Sequence, residues 1–250
     1  MRLEYASVSD TGRIRTNNED AFGVFVPSEV DELEARGALF IVADGMGGHR
    51  GGEIASKLAV DVIQEAYFRA TDPDRGAALL DAFSTANASI VAESTADSSL
   101  FGMGTTCTAM ALFDGKIYIG HIGDSRGYQL HGGTLTQLTN DHSLVGEMVR
   151  SGIITDEDAR THPKRNVITR SLGIHEIASP EAGQSPMALE VGDVYLICSD
   201  GLTSYVQDDD LTEILSEKAP QEACDALVDM ANQSGGRDNI TVQVILVSEV

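Results

Sequence analysis

Two glycine-containing dipeptides between apolar runs constrain the fold of this chain more than any other feature. Asp114-Gly115 separates the runs 105–113 and 116–122, and Gly132-Gly133 interrupts the segment 128–139. Both dipeptides supply the positive φ angles of a two-residue type I′ turn, so each predicts a β-hairpin. Because hairpins pair their strands antiparallel, the sheet that contains these segments should be largely antiparallel.

The remaining apolar runs and helical stripes complete a mixed pattern. Short apolar runs predict further strands at 21–26, 38–43, 194–199 and 240–247, with an acidic loop over 28–37. A 3.6-residue period predicts helices near 53–69 and 76–92 and around the stripe Ala223, Leu227, Val228 and Ala231. These helices come in pairs between blocks of strands rather than after every strand. The predicted fold class is therefore α+β, a central β-sandwich of two mostly antiparallel sheets flanked by pairs of α-helices.

The organisation of the chain predicts one domain over residues 1–250, because the sequence has no linker, low-complexity tract or solenoid repeat. Residues 140–192 differ from the rest. They hold short helical pieces, one around 144–149 and one after the capping-box-like Thr155-x-x-Asp158, joined by polar segments. We expect this stretch to be a surface insertion.

The charge balance narrows the set of partners. Lys and Arg number 17 against 39 Asp and Glu, and the net charge of −22 repels nucleic-acid phosphates and anionic lipid heads. The apolar runs fall short of the ~18 residues of a membrane span, and the N-terminus lacks the pattern of a signal peptide, so we expect a cytoplasmic protein. Cys107, Cys198 and Cys224 lack C-x-x-C spacing and are predicted to be reduced core residues.

Four aspartates stand at the ends of predicted strands, each beside a residue that lets the backbone turn sharply: Asp44, Asp124, Asp200 and Asp238. One such aspartate alone is typical of a turn or cap. Four that converge would repel one another unless cations neutralise them, and carboxylate ligands suit Mg²⁺ or Mn²⁺ better than Zn²⁺. Two such ions sharing a carboxylate would suit phosphoryl transfer to water.

Two neighbouring segments add to this pattern. Arg15, Glu19 and Asp20 precede the first predicted strand, and a guanidinium can bind a phosphoryl group, although a surface arginine explains Arg15 equally well. The Gly-rich loop 44–53 follows a strand and precedes a helix but fits neither G-x-G-x-x-G nor a P-loop. Its Asp44-Gly45 start is better interpreted as a metal-holding corner that exposes the Gly45 carbonyl.

Other hydrolytic chemistries fit the sequence poorly. A cysteine phosphatase needs Arg six residues after its Cys, and the three cysteines offer Phe113, Ser204 and Met230 instead. The Asp-x-Asp-x-Thr pattern at 208–212 is better interpreted as the negative first turn of a helix that starts at Leu211. No serine lies in a Gly-x-Ser-x-Gly elbow.

Seven motifs together carry a resemblance that spans residues 15 to 247: RTNNEDAF, VADGMGGHRGGE, GMGTTCTA, HIGDSRGY, LTNDHS, ICSDGLT and GGRDNITV. In this order they resemble the bacterial branch of the metal-dependent PPM/PP2C protein phosphatases. The resemblance implies a β-sandwich flanked by helices, two Mn²⁺ or Mg²⁺ ions with a third, weaker one, and hydrolysis of phosphoserine and phosphothreonine.

The resemblance also implies roles for individual residues. The implied metal ligands are Glu19, Asp20, Asp44 as the bridge between two ions, Gly45 through its carbonyl, Asp200, Asp238, and Asp124 at the third ion. Arg15 matches a phosphate clamp, and His49 matches a proposed general acid, since a departing alkoxide needs a proton. Residues 140–180 match a variable flap that would contact the protein substrate and gate access to the site.

The implied activity is that of a protein-serine/threonine phosphatase in which water activated by the two ions attacks phosphorus without a phosphoenzyme. Its partners would be phosphoproteins made by a Ser/Thr kinase that it opposes, and we expect a monomer. Two alternatives stay open. One is a non-catalytic module of the same fold that binds phosphoproteins, and the other is a phosphatase of small phosphate esters, which the composition of the flap leaves possible.

Overall fold

The computed structural model describes residues 1–47, 51–183 and 185–250. Within these ranges two antiparallel sheets pack face to face, with helices on both outer sides, so the predicted α+β sandwich is confirmed. The strands are β1 (Arg2–Asp10), β2 (Asp20–Phe25), β3 (Ala38–Met46), β4 (Gly104–Thr105), β5 (Cys107–Phe113), β6 (Lys116–Ile122), β7 (Arg126–His131), β8 (Thr134–Gln137), β9 (Met187–Ala188), β10 (Val194–Cys198) and β11 (Ile240–Glu249). The α-helices are α1 (Val30–Arg36), α2 (Gly51–Arg69), α3 (Arg75–Ala96), α4 (Leu144–Arg150), α5 (Asp156–Thr161), α6 (Asp200–Thr203), α7 (Asp208–Glu217) and α8 (Pro220–Gln233).

In both sheets, strands that are far apart in the sequence are neighbours. The first sheet has the order β1-β11-β10-β7-β8, and the second has the order β2-β3-β5-β6-β9 with β4 paired to β3. Both predicted hairpins are present, as β5-β6 and β7-β8. Their turns have the positive φ angles expected, with 50° at Asp114 and 65° at Gly115, and 56° at Gly132 and 81° at Gly133.

Three apolar layers hold the sandwich together. The layer between the sheets contains Phe40, Met110 and Tyr195, and all three side chains are buried. A second layer lies between the second sheet and the pair α2 and α3, and a third lies between the first sheet and α6 to α8. The three cysteines are buried and unpaired, as predicted. No helix in the described ranges has both the length and the apolar character needed to cross a membrane.

Several boundaries differ from the sequence prediction. The strand expected to end at Asp44 continues as β3 to Met46, because Gly45 and Met46 pair with β4. The strand expected over 105–113 is broken at Thr106, whose amide donates to the Asp44 carbonyl instead of to a ladder partner. The acidic stretch predicted as a loop contains α1, and β1 was not predicted because its polar, half-exposed sequence lacks an apolar run.

Residues 140–192 carry α4 and α5 on the surface, and the predicted capping box of Thr155 and Asp158 is present. The base of this segment is buried, since Leu172 is fully inaccessible and His142 is 1% exposed. The stretch around Asp208 is the acidic first turn of α7, which begins three residues before the predicted start. This segment and α7 both border the cleft described below.

Candidate metal centre

Five of the predicted acidic residues come together at one end of the sandwich. Asp20 and Asp44 face each other across β2 and β3 of the second sheet. Asp200 begins α6 two residues after the end of β10, and Asp238 lies two residues before the start of β11, both next to strands of the first sheet. Asp124 lies in the crossover from β6 to β7, which carries the chain from one sheet to the other. The two sheets therefore each bring carboxylates to the same edge.

The electrostatics show how close these groups are. Burial and the neighbouring carboxylates Asp20 and Asp200 hold the pKa of Asp44 well above its usual value. Burial followed by repulsion from Asp200 likewise holds the pKa of Asp124 well above its usual value. Burial raises the pKa of Asp20 to about 7 against opposing hydrogen bonds, and burial with Asp238 raises the pKa of Asp200 to about 6. A cation placed among these groups would relieve this repulsion.

Two hydroxyl groups of the first sheet hold Asp20. Its Oδ2 accepts hydrogen bonds from Ser199 Oγ at 2.8 Å and from Thr241 Oγ1 at 2.7 Å. Its Oδ1 is buried and accepts no hydrogen bond from any described residue, and the same is true of Asp124 Oδ1. Buried carboxylate oxygens without a donor are costly, and a bound cation would satisfy them. These two orphaned atoms therefore fit a metal site.

The Asp44-Gly45 corner is held by close backbone contacts. The Asp44 amide donates to Thr106 Oγ1 at 3.1 Å, and the Gly45 amide donates to the Glu19 carbonyl at 3.1 Å. A Cβ at Gly45 would overlap the Gly52 carbonyl oxygen and lie 2.5 Å from the Glu19 carbonyl oxygen. Only glycine therefore fits at this corner, as the sequence pattern indicates.

Arg15 and Glu19 border the carboxylates. Arg15 Nη2 donates to Asp238 Oδ2 at 2.8 Å, and this bond, with the negative potential of Glu19 and Asp44, raises the pKa of Arg15. The Glu19 amide donates to Asn239 Oδ1 at 2.8 Å, which ties its segment to the residue after Asp238. The Arg15 side chain is 51% exposed, so it remains accessible to a solute.

The acids are close to one another but engaged with other partners. Among residues 1–47, 51–183 and 185–250, no three Asp, Glu, His or Cys side chains form a complete metal-binding group. Arg15 Nη2 donates to Asp238 Oδ2, and Asp20 Oδ2 accepts from Ser199 and Thr241. Coordination of an ion through Asp238 Oδ2 would require Arg15 to give up this bond, whereas Asp20 Oδ1 and Asp124 Oδ1 accept no hydrogen bond from the described residues. His49 lies outside the described residues.

Sequence reasoning missed the residues that position the acids. Ser199, Thr241 and Asn239 each lie near a predicted strand end and each donate or accept a hydrogen bond at the site. The signal for two of them is a polar residue directly beside an aspartate, Ser199 before Asp200 and Asn239 after Asp238, whereas Thr241 lies within the predicted strand and carries no such signal.

Two clefts open from the acidic edge, and the 140–192 segment forms one wall of each. One has a volume of about 460 Å³ and runs from Asp124 and Asp200 to α4 and α5. The other, about 440 Å³, is bordered by Asp200 and Asp238 and by four arginines: Arg15, Arg160, Arg165 and Arg237. In a chain with a net charge of −22, this concentration of guanidinium groups favours an anionic ligand beside the carboxylates.

Comparison with known proteins gives a consistent result. The family model described as protein phosphatase 2C matches residues 13–239. The serine/threonine phosphatase stp of Listeria monocytogenes is 40% identical, over 98% of this chain and 95% of the relative. Serine/threonine protein phosphatase PstP of Mycobacterium tuberculosis is 39% identical, over 97% of this chain and 44% of the relative. A crystal structure of the PstP catalytic domain in complex with two manganese ions has a TM-score of 0.85 and 38% identity, covering 99% of both chains.

Proposed function

The chain belongs to the protein phosphatase 2C family, and on that basis we propose how its own residues perform the reaction. It is a metal-dependent protein-serine/threonine phosphatase, and its cofactor is Mn²⁺ or Mg²⁺. The observation that carries the assignment is the group of five aspartates from both sheets whose burial and mutual repulsion raise the pKa of four of them. Such a group is stable as carboxylates only with cations among them.

The proposed ligands divide between the two sheets. Asp44, between the other acids, is the candidate for a carboxylate shared by two ions, with the Gly45 carbonyl beside it. Asp200 and Asp238 would complete one position. The remaining proposed ligands are Glu19, Asp20 and, at a third and weaker ion, Asp124. When bound, the ions would supply an acidified water and neutralise charge on the phosphoryl oxygens.

The protein's own residues bind and orient the phosphoryl group. Arg15 is half-exposed and held by Asp238 at 2.8 Å, so its guanidinium is positioned at the rim with donors left for a phosphate. Arg160 and Arg165, in the 140–192 segment, line the same cleft as Arg15. They would attract acidic residues that flank the phosphorylated residue of a protein substrate. His49 remains our proposal for the group that protonates the leaving alkoxide.

The proposed partners follow from the activity. We propose that the substrates are phosphoserine and phosphothreonine proteins made by a Ser/Thr kinase that this enzyme opposes, and that it works in signalling as a cytoplasmic monomer. The domain is proposed to span residues 1–250, with 140–192 as the flap that contacts the protein substrate. The charge of −22 disfavours nucleic acid and membrane surfaces as partners.

The test is phosphopeptide hydrolysis by the purified protein with Mn²⁺. Turnover should be abolished by EDTA and should fall at least ~100-fold in D200N, while D229N, which removes an exposed carboxylate on α8, should keep the wild-type rate. A phosphopeptide-binding assay of D200N separates an enzyme from a binding module. Wild-type protein that binds phosphopeptide but stays inert across divalent ions would refute the proposal. Faster turnover of small phosphate esters than of phosphopeptides would assign it to the other alternative.

A further inference from the structure

A cluster of two buried and two half-buried side chains lies beside the Gly123-Asp124 turn, outside the proposed ligands. Its members are His121, His142, Arg170 and Glu181, which we call the Glu181 clamp. His121 and His142 are 0% and 1% exposed, and their ring centroids are 4.9 Å apart. Burying two imidazole rings costs free energy unless their nitrogens have partners, so we ask what these contacts hold in place.

His142 satisfies both backbone groups of Gly123, the residue before Asp124. The His142 amide donates to the Gly123 carbonyl at 2.7 Å, and the Gly123 amide donates to His142 Nδ1 at 3.1 Å. Gly123 has a φ of 111°, and a Cβ there would collide with Thr106. The turn that aims Asp124 is therefore held by the backbone and ring of a single histidine.

Glu181 contacts the second ring nitrogen of that histidine. Because Nδ1 of His142 accepts a hydrogen bond from the Gly123 amide, the ring proton of the neutral imidazole must be on Nε2. Nε2 is buried, has no hydrogen-bond partner among the described residues, and lies 3.2 Å from Oε1 of Glu181, so this carboxylate faces the ring proton. The same oxygen pairs with Arg170 Nη1 at 2.6 Å, which keeps Glu181 ionised beside the ring. When one ring nitrogen of a histidine is engaged in a hydrogen bond, the group that contacts the other ring nitrogen fixes the tautomer and the orientation of the ring.

Glu181 also closes the base of the flap. Its backbone exchanges two hydrogen bonds of 2.8 Å with His121 at the end of β6, while His121 Nε2 donates to the Asn140 carbonyl at 3.0 Å. The Thr169 amide donates to the His142 carbonyl at 2.8 Å. Both ends of the 140–180 segment are thus joined to the strand that leads into Asp124.

We propose that Glu181 is a positioning residue that acts through His142 to fix the Gly123-Asp124 turn, and so sets the affinity of the third ion at Asp124. This inference rests on the proposed function, because Asp124 is a ligand only under that proposal. The Glu181 carboxylate bonds to Arg170 and lies 3.2 Å from the His142 ring, so its effect on the ion is transmitted through His142 and the backbone of Gly123.

The test compares E181A and E181Q with E176Q, which removes the charge of an exposed carboxylate on the same segment. Exchange of the Gly123 amide is followed by NMR in the metal-free protein, and Mn²⁺ binding is counted by the EPR signal of free ion. In E181A we expect Gly123 to exchange about tenfold faster and the weakest Mn²⁺ site to lose about tenfold in affinity. E181Q, which keeps an oxygen acceptor, should change in the same direction by less, and E176Q should match wild type.

Wild-type exchange at Gly123 in E181A would overturn the proposal. If E181A does not fold, E181Q decides by the same two measurements, and wild-type values in both would overturn it. A D124N control keeps the two proposals apart. An unchanged Mn²⁺ isotherm in D124N would refute Asp124 as a ligand, whereas the Gly123 amide would still report whether Glu181 fixes the turn.

Discussion

Replacing Gly201 by alanine should separate two proposed metal ligands without touching either one. Gly201 follows Asp200 in α6, and a Cβ built on it would overlap the Asn239 carbonyl oxygen and lie 2.9 Å from the carbonyl carbon. Ordinary contact begins at 3.4 Å, so α6 and the segment before β11 must move apart by at least 0.5 Å. Asn239 is next to Asp238, so this movement also separates Asp200 from Asp238.

The expected cost has a structural and a functional part. Overpacking of a buried site costs about 1–3 kcal/mol, which corresponds to a drop in Tm of roughly 2–12 °C for a domain of this size. Metal–ligand distances tolerate only about 0.2 Å, so a displacement of 0.5 Å should weaken Mn²⁺ binding by about 10- to 100-fold.

The assay combines thermal unfolding with and without Mn²⁺ and Mn²⁺-dependent hydrolysis of a phosphopeptide. G76A is the matched control, since a Cβ at Gly76 in the first turn of α3 meets no atom closer than 3.3 Å. G201A should be folded but need much more Mn²⁺ for activity, and G76A should behave as wild type. A G201A protein with the wild-type Mn²⁺ requirement would refute the reasoning that the Asp200–Asp238 spacing holds the ions.

Two further predictions concern ion pairs outside the proposed ligands, one of which lines the cleft beside Asp124. His131 Nδ1 lies 2.7 Å from Asp193 Oδ1, and this hydrogen bond raises the pKa of His131 in the folded state. The stabilisation by this hydrogen bond is therefore fully present below about pH 6.5 and is lost as the pH rises through the folded-state pKa of His131. In urea unfolding, H131Q should not show the loss of stability that wild type shows over this pH range. Identical pH profiles for the two proteins would contradict this prediction. Arg126 binds Asp141 through Nε at 2.9 Å and Nη2 at 2.7 Å and donates to Tyr128 Oη at 3.1 Å. R126A should lose about 1.5–3 kcal/mol in urea unfolding, because the half-buried Asp141 carboxylate loses its charged partner and keeps the hydrogen bond from Gln137 Nε2 at 3.1 Å. A loss below about 1 kcal/mol would show that the pair contributes little.

Signals between neighbouring residues were sufficient to predict the two hairpins and the long helices. The turn at Asp114-Gly115 needs two positive φ angles, and that requirement is visible in two adjacent residues. The apolar stripe of α2 is likewise a property of neighbouring residues and predicts its buried face. The sequence also predicted that the aspartates lie at strand ends, because each one closely follows or precedes an apolar run.

The rest depends on pairing between distant segments. β3 continues past Asp44 only because β4, some 60 residues later, pairs with Gly45 and Met46. Ser199 and Thr241 hold Asp20 across 179 and 221 residues, and no periodicity encodes such contacts. Glu181 shows the same limit, since in sequence it is one acid among 39 and its role depends on a backbone pairing with His121.

The most direct test of the metal centre is anomalous X-ray scattering from crystals soaked in Mn²⁺. We expect two strong peaks about 3.5–4 Å apart, with Asp44 bonded to both and Asp200 and Asp238 bonded to one, and a weaker third peak at Asp124. Saturating Mn²⁺ that produces no peak at this edge, or peaks bound by other residues and not by Asp44, would contradict the account.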